Sequence, residues 1–201
     1  MNKDEMLSFY DDELNELGIT LRSEIHSKGF LHKVVHCWII AEECNEKWIY
    51  FQQRSYYKKD FPGLYDIAAA GHVDVGEDPC VAVKRETKEE IGIEIDSKKL
   101  IFIGSIREKM YLDNFENNEI CEVYLYPIEN PKFELGHEVE KMVKISFDEF
   151  KKWILEGSEK IVAFSMDSKI KFILKPQEFC SHKKEYLELV VDFMSKLKLI
   201  K

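Results

Sequence analysis

Apolar and polar positions follow two periods along the 201-residue chain, alternating in its first two thirds and helical towards its end. The stretch Asp11 to His26 predicts a β-hairpin, with Asn15-Glu16-Leu17-Gly18 as its turn and Ile19 to Ile25 as an alternating arm. Val34 to Ala41 is a continuous apolar run, the signature of a strand buried on both faces, and Trp48 to Gln53 pairs with it after a turn near Glu43 to Glu46. Ile101 to Arg107 and Cys121 to Pro127 supply later strands. Between them Glu108 to Asn118, rich in Asp, Asn and Glu, reads as a mobile loop over a cleft. Tyr111 and Phe115 in that loop either stack on a base or prenyl-like group or simply pack down.

After Glu129-Asn130-Pro131 the pattern changes to helices. Ser146 caps Phe147 to Glu156 and Gly157 ends that helix. A longer helix follows Pro176, with Tyr186, Leu189, Val190, Phe193 and Leu197 at helical spacing, packed on the sheet or on the partner subunit of a homodimer. The organisation this predicts is a single domain over 1–201. It comprises an N-terminal hairpin extension (1–30), a core (31–145) and C-terminal helices (146–201).

The candidate chemistry is concentrated in a loop and one short helix. Asp78 can cap the helix, Pro79 suits its first position and Gly92 can close it, which predicts a helix from about Pro79 to Ile91. Val83, Thr87 and Ile91 form a stripe for the core. Glu86, Glu89 and Glu90 fall at i, i+3 and i+4 and project from one face as neighbours. Three clustered carboxylates repel unless a cation sits among them, and a hard divalent ion, Mg2+ with Mn2+ as a substitute, takes such oxygen ligands beside substrate phosphates. The plainer alternative is a solvated face neutralised by Lys84, Arg85 and Lys88. Arg85 is either one more surface cation or the group that holds Glu77 and the ligands by charge-assisted hydrogen bonds.

The run Gly71, five residues, Glu77, seven residues, Arg85-Glu86-Thr87-Lys88-Glu89-Glu90-Ile91-Gly92-Ile93 resembles the Nudix box. The one departure is Thr87, where the family has an aliphatic residue. The resemblance implies an α/β (α+β) fold, an α/β/α sandwich around a mixed β-sheet, with box residues 71–93 as a loop-helix-loop metal site. It also implies Gly71, Glu86, Glu89 and Glu90 as metal ligands and hydrolysis of a nucleoside diphosphate linked to some other group.

The stretch Gln52 to Asp66, followed by Ala70-Gly71-His72, resembles the isopentenyl-diphosphate-isomerase-like branch of the same superfamily. There, an arginine and a lysine placed like Arg54 and Lys58 meet the diphosphate, as guanidinium and ammonium chemistry allows. The isomerase's catalytic cysteine falls where this chain has Ala70. Isomerases also gather histidines and two glutamates around a metal. His26, His32 and His72 match the histidines with a spacing one residue short, Glu119 is kept, and Asn117 stands at the other glutamate. On these grounds His26 and His32 read as loop or hairpin residues with ordinary hydrogen bonds, and His72 as lining the substrate cleft.

Diphosphate hydrolysis is therefore the expected reaction, with isopentenyl diphosphate isomerisation and a catalytically silent nucleotide-sensing or protein-binding module as alternatives. A positioned carboxylate would accept the water's proton. Glu89 and Glu90 are candidates within the box, and Glu119, ahead of Glu122, outside it; the alternative for the last two is an exposed edge-strand glutamate. A net charge of −9 argues against a nucleic-acid or anionic-membrane footprint. The five cysteines form no Cys-x-x-Cys pair, and the start lacks a leader pattern, so a cytoplasmic protein acting on a small diphosphate-containing substrate is expected.

Overall fold

The computed structural model describes residues 5–112, 115–168 and 170–197, with the side chains at 111, 112 and 115 excepted. In chain order the elements are β1 (Met6–Tyr10), β2 (Glu16–Leu21), α1 (Arg22–Lys28), β3 (His32–Glu43), β4 (Glu46–Arg54), β5 (Tyr65–Ile67), β6 (Ala69–His72) and α2 (Pro79–Ile91). They continue with β7 (Ile101–Leu112), β8 (Phe115–Pro127), β9 (Val139–Ser146), α3 (Phe147–Glu156), β10 (Ile161–Ser165), β11 (Lys171–Leu174) and α4 (Lys184–Lys196).

A mixed sheet runs in the order β11-β10-β9-β4-β3-β8-β7, with β5 on β4 and β6 on β3. Among the described strand pairings of this sheet, only β3–β8 is parallel. The apolar run of β3 explains itself here. Val34, Trp38 and Ile40 join the core under α3 and α4, whereas Val35, Cys37, Ile39 and Ala41 join the core under α2. The chain thus has helices on both faces of a mixed sheet. The β3–β4 turn places Cys44 and Asn45 at φ 52° and 65°, the conformation of a two-residue type I′ hairpin. The stripe of α4 lies on the sheet of its own chain, where the buried Tyr186 hydroxyl accepts from Trp38 Nε1 at 2.8 Å. Among the described residues, no helix is long and apolar enough to cross a membrane.

Three expectations are corrected. The N-terminal hairpin turns at Asp11–Asn15, where the Asp11 carboxylate accepts from the Glu13 and Asn15 amides at 3.0 and 2.8 Å. Gly18 lies inside β2 because the Phe9 ring crosses it, 3.1 Å from where a Cβ would stand. The end of the expected arm is instead α1, closed by left-handed Gly29.

Second, residues 108–112 and 115–118 of the expected loop are strand, β7 and β8 running on as one antiparallel ladder with Glu108 opposite Glu119 and Lys109 opposite Asn118; residues 113 and 114 lie outside the described residues. Its polar side chains pair across the strands, Lys109 with Glu116 at 2.6 Å and Arg107 Nε with Asn118 at 3.2 Å. The side chains of Tyr111 and Phe115 lie outside the described residues. Third, the region after Pro131 is not purely helical. Val139–Ser146 is a strand between β4 and β10, and the segment expected as C-terminal helices adds β10 and β11.

The loop after β8 seats the end of α2. Glu134 N–H bonds to the Ile91 carbonyl at 3.0 Å and Gly136 N–H to that of Glu90 at 2.8 Å. A Cβ on Gly136 would lie 2.2 Å from the Glu89 carbonyl oxygen. Gly136→Ala should therefore cost about 1–3 kcal/mol and lower Tm by roughly 3–10 °C in thermal unfolding. An unchanged Tm would show that this seat is loose.

Candidate active site

The helix of the carboxylates forms where its ends are satisfied locally. Asp78 accepts from the Cys80 amide at 2.8 Å, Pro79 opens the helix and Gly92 closes it at φ 72°. Thr87 is fully buried, and its hydroxyl donates to the Val83 carbonyl at 2.6 Å, so the methyl faces the core without an orphaned polar group.

The three glutamates have different surroundings. Glu90, 5% exposed, accepts from Gln52 Nε2 at 2.9 Å and from the Ala70 amide at 3.0 Å. Glu86 accepts from Arg85 Nη1 at 2.6 Å and lies so close to β6 that a Cβ on Gly71 would be 2.1 Å from its Cδ. Glu89 is the exposed member, its side chain 62% accessible and 3.5 Å from Arg85. Arg85 is no loose surface cation. It donates to both Glu77 oxygens at 3.1 and 2.9 Å and to the His72 carbonyl at 3.0 Å, tying loop, strand and helix together.

Burial pushes the Glu90 carboxyl up to about 8, with the neighbouring Glu86 charge adding to it against the Ala70 amide. Burial likewise raises Glu86 to about 7, which Arg85 opposes and Glu89 and Glu5 reinforce. Carboxylates in this condition are short of positive charge. The donor set fits a hard divalent cation: it is all oxygen, and Gly71 leaves room where any side chain would collide.

These groups line one wall of a cavity of about 330 Å³. Across it, β3 and β8 bring His32 beside Glu119 in register, with Nε2 3.6 Å from the carboxylate. His26 from α1, His32 and His72 stand with ring centroids 5.1, 5.7 and 5.4 Å apart, and their ring nitrogens lie within 4.8 Å of one another. The reading of His26 and His32 as ordinary loop or hairpin residues is corrected: both are buried, on α1 and β3, and they stand in a trio with half-buried His72. Burial first, then its neighbours, pushes His26 down to about 3. Desolvation would raise Glu119, but the hydrogen bond and charge of His32 hold it down to about 2.

Arg54 and Lys58 also line the cavity, each engaged by a protein carboxylate. Arg54 pairs with Asp66 at 3.2 Å and donates to the Asp60 carbonyl at 3.2 and 3.0 Å, and Lys58 pairs with Glu138. Glu122 is on an interior strand rather than an edge, takes a hydrogen bond from Ser105 at 2.7 Å, and does not line the cavity.

Several residues escaped the sequence reading. Gln52 tethers Glu90. Glu5 reaches His72 Nδ1 at 3.3 Å. Glu108 and Asp66 hold His182, 2.6 Å from Nδ1 and 3.4 Å from Nε2, and against the cost of burial they raise it to about 10. Only the acid-rich composition of 108–118 hinted at Glu108. The others are joined by contacts across long stretches of chain.

Comparisons with known proteins follow this geometry. The NUDIX domain family model matches residues 30–163. An uncharacterized Nudix hydrolase of Clostridium acetobutylicum is 32% identical over 199 residues, 94% of this chain and 96% of that protein. Isopentenyl-diphosphate Delta-isomerase 1 of Photorhabdus laumondii subsp. laumondii is 33% identical over 129 residues, 61% of this chain and 71% of the isomerase. A Deinococcus radiodurans crystal structure superimposes with a TM-score of 0.60 at 18% identity, covering 77% of this chain and 91% of that one, a likeness of fold.

The raised carboxyls set a pH dependence. Both groups start from 4.5 and rise to about 7 and 8 on folding, so the stability they contribute is fully present below about 4.5 and is lost as pH climbs through 7 to 8. In chelator-treated protein, Tm should fall over that window. The fall should be smaller in Glu90→Gln, and Mg2+ should restore more stability at pH 8 than at pH 5. Superimposable wild-type and variant curves would contradict this electrostatic account.

Proposed function

The chain belongs to the Nudix hydrolases, and from that premise we propose that it cleaves a diphosphate linkage in a small nucleoside diphosphate-like metabolite with Mg2+ at Gly71, Glu86, Glu89 and Glu90. The observation that carries this reading is the pair of carboxyls, buried Glu90 and partly buried Glu86, gathered against the glycine-bearing strand and braced by Arg85. A divalent cation held there supplies charge neutralisation on phosphoryl oxygens and lowers the pKa of a water.

The chain's own groups do the rest. Arg85 and Glu77 keep the ligand face aligned with the Gly71-His72 backbone. Lys58 and Arg54 receive the diphosphate, exchanging their carboxylate partners for phosphate oxygens, and His72 lines the same cleft. The attacking water gives its proton to a carboxylate; the candidates are Glu89 and Glu90 on the helix and Glu119, all of which line the cavity. Free cysteines and a net charge of −9 support a cytoplasmic protein acting on a small substrate.

One observation favours a second reading, isomerisation of a prenyl diphosphate: the trio His26, His32 and His72 beside Glu119. Ala70, in place of a thiol, counts against it. Product formed without release of phosphate or nucleoside monophosphate would separate the two.

Nucleoside diphosphate sugars, dinucleotides, coenzyme A and prenyl diphosphates assayed for Mg2+-dependent phosphate-containing products should reveal a hydrolysed substrate. On it Glu90→Gln should lower kcat by about 10²–10⁴, with Tm near neutral pH shifted by only a few degrees. Undiminished turnover would remove Glu90 from the mechanism.

A further inference from the structure

The cavity holds a titratable group that neither the acidic face of α2 nor the cations Arg54 and Lys58 engage. His36 lies on β3 with Ala70 of β6 on one side and Val123 of β8 on the other. Strand alternation therefore puts its ring on the same sheet face as His32, Val34, His72 and Glu119, and it lines the cavity with them.

The helix α4 decides what this ring presents. Trp38 Nε1–H can only donate, and the Tyr186 hydroxyl accepts from it at 2.8 Å. The proton of that hydroxyl goes to His36 Nδ1, 2.9 Å away and, among the described residues, the acceptor within its reach. Nδ1 is thus the acceptor, so the ring's own proton sits on Nε2. Burial, reinforced by the neighbouring His182 charge, pushes the His36 pKa down and keeps the imidazole neutral. Among the described residues Nε2–H meets no acceptor. A donor set so firmly on a cavity wall and left unmatched by the protein calls for an oxygen from a ligand.

We propose that His36 is a specificity-determining residue whose Nε2–H, fixed through Tyr186 and Trp38, hydrogen-bonds a hydroxyl on the group joined to the diphosphate. The substrate then carries a sugar or polyol where a prenyl diphosphate carries hydrocarbon. This rests on the diphosphate-cleaving reading above and narrows it.

The surroundings of the ring suit such a group. A ring nitrogen of His36 lies within 4.8 Å of a Glu119 oxygen. A hydroxyl seated between them accepts from the imidazole and donates to the carboxylate, whereas a methylene does neither. Among the described residues, Val34, Phe61, Ala70 and Met110 are the apolar side chains of a lining otherwise made of ionisable and polar ones. Hydrocarbon in this space would leave a donor and a carboxylate desolvated and unpaired, and a site built to bind a substrate oxygen rejects the analogue lacking it.

The test uses uncleavable probes on the full chain with Mg2+: methylenediphosphonate, its glyceryl ester and its propyl ester, each titrated by calorimetry. Wild type should bind the glyceryl ester about 10–100-fold more tightly than the propyl ester. His36→Phe should abolish that preference while binding methylenediphosphonate itself as wild type does, and His36→Gln, which keeps a donor, should restore part of it. Independently of any ligand or variant, long-range 1H–15N spectra of wild type should show His36 protonated at Nε2 and bare at Nδ1. The opposite tautomer, or equal affinity of wild type for the two esters, would overturn the proposal while leaving diphosphate cleavage standing. Failure of methylenediphosphonate to bind at all would overturn the diphosphate reading and this inference with it.

Discussion

Everything at this site depends on two neighbouring carboxyls, buried Glu90 and partly buried Glu86, with too little positive charge around them. Desolvation first, then repulsion from neighbouring carboxylates, holds both above their ordinary range, and the contacts around them keep them in place. Gln52 and the Ala70 amide fix Glu90, Arg85 and Glu77 fix Glu86, and the bare backbone of Gly71 allows the strand to come within reach. A side chain at Gly71, or a loose end to α2, would spread the carboxylates apart and remove the reason for a cation to bind.

The sheet supplies the opposite wall. Parallel pairing of β3 with β8 sets His32 against Glu119 although 86 residues separate them, and β6, paired with β3 on its other side, adds His72. The two walls share a single dipeptide, Gly71-His72, so the acidic face of α2 and the imidazole trio cannot move independently. The C-terminal segment completes the enclosure. His182 is locked between Asp66 and Glu108, and Asp66 also holds Arg54 on the cavity wall.

What could be read from the sequence was what local physics decides. Asp78, Pro79 and Gly92 delimit α2 by capping, and the i, i+3, i+4 spacing of its glutamates fixes their common face; the helix spans Pro79–Ile91. Arg85 and Glu77 are eight residues apart and meet as the loop folds back. Features set by distant partners were illegible. Glu5 meets His72 only through the N-terminal arm, and the polar residues 108–112 and 115–118 are strand because β7 and β8 pair along them. A glycine at position 18 reads as a turn, but its missing side chain serves the Phe9 ring, and the turn is set by the Asp11 side chain. Val139, Met142 and Val143 fall at i, i+3 and i+4, a helical spacing, so the pattern carried no clear strand signal where β9 runs.

The most direct measurement of the central claim is a calorimetric titration of Mg2+ near about pH 6.5 in two buffers of different ionisation enthalpy, which counts protons as well as ions. With Glu90 raised to about 8 and Glu86 to about 7, both are mostly protonated there, so uptake should release more than one proton per ion, and less than one in Glu90→Gln. No uptake, or uptake with no proton released, would contradict the claim that these two carboxyls are the site's cation grip.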